Sequence, residues 1–231
     1  SASHWAIDYA DFAINERLLL ETDSRSDVNA DAAFLRQEVP FALGRIQDAD
    51  ELYFTHVETG FTDVSVGHPY AGAILWGKEN GIISGVGNNQ FAPANPVTRE
   101  QMCAFIYRYC NNFSITLPVV NSMPSFTDAS SITSALLPAV TAVCRADIFH
   151  GYSDGSFRPK QTIAKAEACN VLTLLHGIKY NSASQLNMYI KDKDGNAVTS
   201  AACYFYTASY GNMSWTPVYS VLGFARSNTV T

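Results

Sequence analysis

No apolar run in this sequence approaches the roughly 18 to 20 residues needed to cross a bilayer. Charge of either sign is scarce at 16% of 231 residues, and what there is leans acidic, with a formal net charge of -6. A sequence pI near 5.3 counts against nucleic acid as the partner. Catalytic signatures are missing too: there is no G-x-S-x-G, no H-E-x-x-H and no phosphate-binding loop. The five cysteines form no C-x-x-C, which indicates neither a redox motif nor a zinc knuckle. No leader segment is visible, and an opening Ser1-Ala2-Ser3 is consistent with a chain already processed. No cofactor is expected.

What is present is a repeat. The 47% hydrophobic content fits an ordered globular protein with a sizeable core. The stretch from Phe61 to Tyr109 reads as helix, glycine-broken turn, rigid loop and second helix. Tyr70, Ala73, Ile74 and Trp76 give the first helix an apolar face, and Asn80-Gly81 stops it. Gly85 and Gly87 allow positive φ in the loop, while Pro93 and Pro96 stiffen it. Thr98 reads as an N-cap, with Gln101 completing a capping box. Arg99 then stands at a helix start beside a glycine loop, a position suited to an anion.

The pattern recurs downstream. Phe126-Thr127-Asp128 repeats Phe61-Thr62-Asp63, and Asp147 to Gly151 repeats Gly81 to Gly85. Lys165 follows Arg99 by 66 residues. A weaker copy lies upstream, where Arg36 precedes Arg99 by 63 residues. Similar units at this spacing are the signature of a repeat protein.

The ordered motifs F-T-D-V, G-I-I-S-G, F-x-P and T-R-E-Q resemble the S-layer homology (SLH) domain, whose last motif is usually T-R-A-E. The resemblance covers about three quarters of the chain, to about Gly177. It implies a mainly α fold of three helix–loop–helix repeats in a pseudo-threefold arrangement. It also implies noncovalent anchoring to a cell-wall glycopolymer with acidic, often pyruvylated, sugars at a bacterial cell surface. On this basis residues 1–46 form a degenerate first repeat, 61–110 the second and 125–178 the third. Residues 47–60 and 111–124 are surface linkers, and residues 186–231 form a small β-rich segment.

Residues 1–46 depart most from the pattern. Arg17 stands in place of Gly81, the connection from Glu21 to Asp31 is acidic, and Pro40 falls early in the second helix, where it is expected to kink the chain. In the third unit Ala164 lacks a cap hydroxyl and Gly177 is expected to end the helix.

The candidate glycan-binding residues are Arg99, Gly85 and Thr98, then Lys165 with Gly151, and last Arg36. A cation there holds a carboxylate, Arg in a bidentate way and Lys as a point charge. The plain alternative is a surface ion pair of little energetic weight. Trp5 and Trp76 suit sugar stacking or core filling, with core favoured for Trp76. His68 and His150 lack second ligands at metal spacing, and Asp192 and Asp194 read as a hairpin turn, not a calcium loop. Cys103 and Cys169 occupy equivalent, inward repeat positions; Cys103 and Cys110 are too far apart to pair, and Cys144 and Cys169 are placed to meet.

The leading expectation is a non-enzymatic wall anchor. A structural subunit of a surface lattice or filament, assembling through the repeats and the β segment, is the alternative. A third is an anchor whose partner domain lies beyond Thr231.

Overall fold

The structure is a computed structural model that describes residues 7–20, 29–122 and 124–183, and the strands at 187–188, 202–205, 216–219 and 225–226. Trp5, residues 21–28 and the turn at Asp192 to Asn196 lie outside the described residues. The chain divides into two compact bodies, Ser1–His176 and Gly177–Thr231.

The first body is helical. Its elements are α1 (Ile7–Asn15), α2 (Glu38–Ile46), α3 (Ala71–Glu79), α4 (Arg99–Asn112) and α5 (Leu137–Arg145), followed by α6 (Lys165–Ala183). In sequence they fall into three successive pairs, α1–α2, α3–α4 and α5–α6. The second helix of each pair packs on the first helix of the next: α2 on α3 and α4 on α5. α6 returns to α1, where His176 meets Phe12 edge-on at 5.0 Å between ring centroids.

The centre of the body is a ring of three backbone hydrogen bonds. The Val97 N–H donates to Phe34 O at 2.9 Å, Phe34 N–H to Ile163 O at 2.9 Å, and Ile163 N–H to Val97 O at 2.8 Å. All three side chains are fully buried, each contributing about 1.5–3 kcal/mol by transfer from water. Each ring residue lies a few residues before the start of a pair's second helix. The ring therefore fixes the starts of α2, α4 and α6 side by side.

The first helices leave by one shared turn. Arg17, Gly81 and Asp147 all take positive φ, at 53°, 66° and 61°. The next N–H reaches back five residues in each case, Leu18 to Ala13 O, Ile82 to Gly77 O and Ile148 to Val143 O. The glycine turn expected to be missing from the first pair is thus present in conformation. Arg17 bears the strain of the left-handed region that glycine avoids.

Three expectations need correction. Pro40 lies in the first turn of α2, where its missing N–H has no helical acceptor to lose, and it packs beside Gly77. Gly177 does not end its helix, because α6 continues to Ala183; a glycine stops a helix only by turning left-handed. The stretch 47–60 is not purely surface, since Leu52 on a single 3₁₀ turn is fully buried against Gly44.

In the second body, β1 (Asn187–Met188) pairs antiparallel with β4 (Ala225–Arg226), and β2 (Ala202–Phe205) with β3 (Thr216–Tyr219).

Candidate functional site

Beside the ring, residues at or just before the start of each second helix bond to the loop of another pair. The N–H groups of Arg36 and Gln37 donate to Asn95 O and Pro93 O. Those of Arg99 and Glu100 donate to Gln161 O and Pro159 O, and those of Lys165 and Ala166 to Ala32 O and Ala30 O. The helix-start amides around Arg99, the position that the sequence suits to an anion, are therefore spent on these loops.

The side chains follow the same cyclic offset. Arg99 belongs to the second pair but lies in the loop of the third. Its Nε donates to Phe157 O at 2.8 Å, Nη2 to His150 O at 2.5 Å and Nη1 to Glu167 Oε1 at 2.8 Å. Its guanidinium also lies over Phe149 and Tyr152, 4.5 and 4.6 Å from the ring centroids. Arg99 is 3% exposed. Gly151 lines the same cavity of about 150 Å³. A Cβ on Gly151 would stand 2.7 Å from Phe126 Cε1 and 2.9 Å from Ser156 O.

Arg36 stands in the equivalent place against the loop of the second pair. Its Nε donates to Phe91 O at 2.9 Å and its Nη2 to Ser84 O at 3.0 Å. The guanidinium lies 4.8 Å from the Phe91 centroid and 5.6 Å from that of Phe105. Gly85, Gln101 and Arg108 share the cavity, of about 200 Å³. Gly85 is required for space, not for positive φ, since a Cβ would meet Gln90 O at 2.6 Å. The expected partnership of Arg99 with Gly85 is therefore replaced by Arg36 with Gly85 and Arg99 with Gly151. Arg36, from the first unit, thus sits in a cradle supplied by its neighbour.

Lys165 completes the cycle by pairing with buried Glu38 at 2.9 Å. Thr98 is used as the cap of α4: its Oγ1 accepts the Gln101 N–H at 3.4 Å, and its own N–H donates to Gln101 Oε1 at 3.0 Å. Trp76 is buried and stacked on Phe113 at 5.9 Å, a core position.

Sequence reasoning gave Gln101 only as half of a capping box and missed Glu38 and Glu167 at the same repeat position. Glu38, Gln101 and Glu167 each accept the N–H of the residue three before them, Leu35, Thr98 and Ala164. Two of them also receive the cation of the preceding pair, through Lys165–Glu38 and Arg99–Glu167. Gln101, facing Arg36, has no charge to offer. Their alignment at one repeat position was the available signal.

The loops themselves are held by the F-T-D aspartates. Asp63 accepts the N–H groups of Phe91 and Ala92, and Asp128 those of Phe157 and Arg158, at 2.7–2.8 Å. Burial pulls the Arg36 pKa down and the charge of Arg108 lowers it further, while Asp63 raises it. Arginine remains charged under such pressure. Burial also pushes the Cys110, Cys144 and Cys169 thiols up to about 12, and Cys103 higher than its ordinary value. All four are free.

Two segments, residues 60–103 and 125–169, match the family model of the S-layer homology domain. They fall on the second and third helix pairs and include both F-T-D motifs. The chain is 31% identical over 97 residues to an endoglucanase of Bacillus sp. (strain KSM-635), covering 42% of this chain and 10% of that protein. Over 112 residues it is 30% identical to an amylopullulanase of Thermoanaerobacterium thermosulfurigenes, covering 48% of this chain and 6% of that protein. Exoglucanase XynX of Acetivibrio thermocellus is likewise 30% identical over 112 residues, with 48% and 10% covered. The chain thus spans about a tenth or less of the length of these relatives. No helix among the described residues is long and apolar enough to cross a membrane.

Proposed function

We propose that the chain is a non-catalytic anchor that holds an anionic wall glycopolymer in the grooves between helix pairs. In this reading the first pair is a third, sequence-divergent S-layer homology repeat, residues 1–46, beside repeats at 61–110 and 125–178, and the protein acts outside the bacterial cell. Residues 186–231 would be a β module, incomplete or closed by a partner. The observation that carries the reading is the cyclic offset: each basic residue reaches away from its own pair, and two arginines line cavities formed with a neighbour's glycine loop. A buried guanidinium beside carbonyls and aromatic faces is suited to a sugar carboxylate approached from the open side.

Co-sedimentation with purified Gram-positive cell walls, before and after removal of the secondary polymer, tests this. Binding that disappears with the polymer supports the anchor. Binding that survives stripping points to another wall component. No binding at all, with self-association in light scattering, favours a lattice subunit instead.

A further inference from the structure

A larger cavity, of about 480 Å³, lies between α5 and the linker that joins the second and third helix pairs. None of the three basic residues at the helix starts lines it. One wall is a stripe of α5: Leu137, Thr141 and Arg145 follow at intervals of four, which puts them on one helix face. The other wall is Leu117, Pro118 and Val119, in a stretch from Ile115 to Val120 that runs without turn or bend. Leu137 and Val119 are both exposed apolar side chains.

The backbone edge of this groove is unspent. The N–H groups of Thr116, Leu117 and Val119 have no hydrogen-bond partner among the described residues. Those that flank them are bonded, Ile115 N–H to Cys110 O, and Val120 and Asn121 N–H to Arg145 O. The cation is unspent as well. Arg145 forms no ion pair among the described residues, and its Nε is buried without a hydrogen-bond partner. An unpaired cation at the end of an apolar groove selects an anionic group on an apolar ligand. Pro118 and Pro138, on opposite walls, restrict the backbone on each side, so the groove is largely preformed.

We propose that this groove docks the extended, apolar C-terminal segment of a partner protein, with the terminal carboxylate at Arg145. An alkyl acid would meet the walls and the cation but leave the backbone edge unpaired; an extended peptide uses all three. The stripe from Leu137 to Arg145 is about 12 Å long at 1.5 Å per residue, room for about four extended residues at 3.3 Å each. Main-chain bonds to the linker supply affinity, alternate side chains enter the apolar walls, and Arg145 takes the carboxylate as a bidentate pair. The site is additional to the anchor reading and does not rest on it.

The test is an NMR titration of the full chain with a synthetic pool of hexapeptides, randomised over Val, Ile, Leu and Thr and carrying free C-termini. Saturable shifts of the Leu117 and Val119 amides and of Arg145 Nε–H are expected. The same pool with amidated C-termini is expected to bind about tenfold more weakly, as loss of a charge-assisted contact does. Arg145→Gln keeps the Val120 and Asn121 bonds, which go to the main-chain oxygen. It is expected to erase the difference between acid and amide while leaving wall co-sedimentation unchanged. Ala142→Trp, which fills the groove, is expected to abolish the shifts.

No saturable shift at these signals, or equal affinity for the acid and amide pools, overturns the inference. Shifts produced by decanoate and not by the peptides assign the groove to an alkyl acid and overturn it too. So do shifts that appear on concentrating the chain alone, since a second copy is then the occupant.

Discussion

Arg99 Nη1 and Glu167 Oε1 meet at 2.8 Å across the boundary between the second and third helix pairs, with the arginine 4% and the glutamate 22% exposed along their side chains. The pair is also a node. Glu167 Oε1 accepts from Tyr152 Oη at 3.0 Å, and Glu167 Oε2 from the Ala164 N–H at 3.2 Å. One carboxylate therefore joins a helix cap, an aromatic loop and the cation of another pair.

That node predicts a structural phenotype for Arg99. Arg99→Ala removes three hydrogen bonds and strands a partly buried carboxylate, so it is expected to destabilise the fold by about 3 kcal/mol or more. Urea denaturation followed by circular dichroism checks this. A wall-binding defect in Arg99→Ala would then report on folding before it reported on binding.

The backbone ring makes Phe34 a test of how the first pair contributes. Phe34→Ala leaves a cavity where all three pairs meet, and a loss of about 3–5 kcal/mol is expected. A single cooperative transition at lower urea would show that the first pair folds with the other two. Loss of only part of the helical signal would show that it folds separately.

Gly85 and Gly151 are expected to resist substitution for lack of space. Alanine at Gly151 would press on Phe126 and on Ser156 O, and overpacking of this kind costs about 1–3 kcal/mol. Thermal melting of Gly85→Ala and Gly151→Ala, compared with an alanine at exposed Ser153, checks the effect.

Asp128 should give the fold an acid-sensitive limb. Burial pushes its pKa up, but hydrogen bonds from the Phe157 and Arg158 N–H groups outweigh this and hold it below the ordinary 3.8. A depressed carboxylate stabilises fully above its unfolded pKa, and that stabilisation is lost as pH falls through the folded value. Stability is therefore expected to drop below about pH 4, in step with ordinary aspartate titration. Asp128→Asn should flatten this limb while lowering stability at neutral pH. An unchanged pH profile would contradict the role given to Asp128.

The four cysteines of the helices are expected to be inert in the native state. Burial pushes their thiols up, to about 12 for Cys110, Cys144 and Cys169, and the thiolate is the reactive form. Labelling with a thiol reagent at neutral pH should modify them only after denaturation. Fast native labelling of Cys103 or Cys144 would contradict the buried placement.

Much of this was legible in the sequence, and the parts that were not share one cause. The helices, the Asn80-Gly81 stop and the Thr98–Gln101 cap are local, and local propensity and spacing disclose them. The partnership of Arg36 with Gly85 is not local: it joins residues from different pairs, and a repeat pattern read unit by unit assigns each cation to its own loop. The turn at Arg17 escaped for a different reason. Its left-handed conformation is enforced by the Leu18-to-Ala13 bond and by burial of Leu18, not by the residue's preference. Gln101 reads as half of a capping box, and only the fold brings it to the cavity that holds Arg36.

The most direct test of the anchor reading is co-sedimentation of the chain with purified Gram-positive cell walls before and after removal of the secondary polymer. Binding that is lost with the polymer is the predicted result. Binding that survives its removal would contradict it.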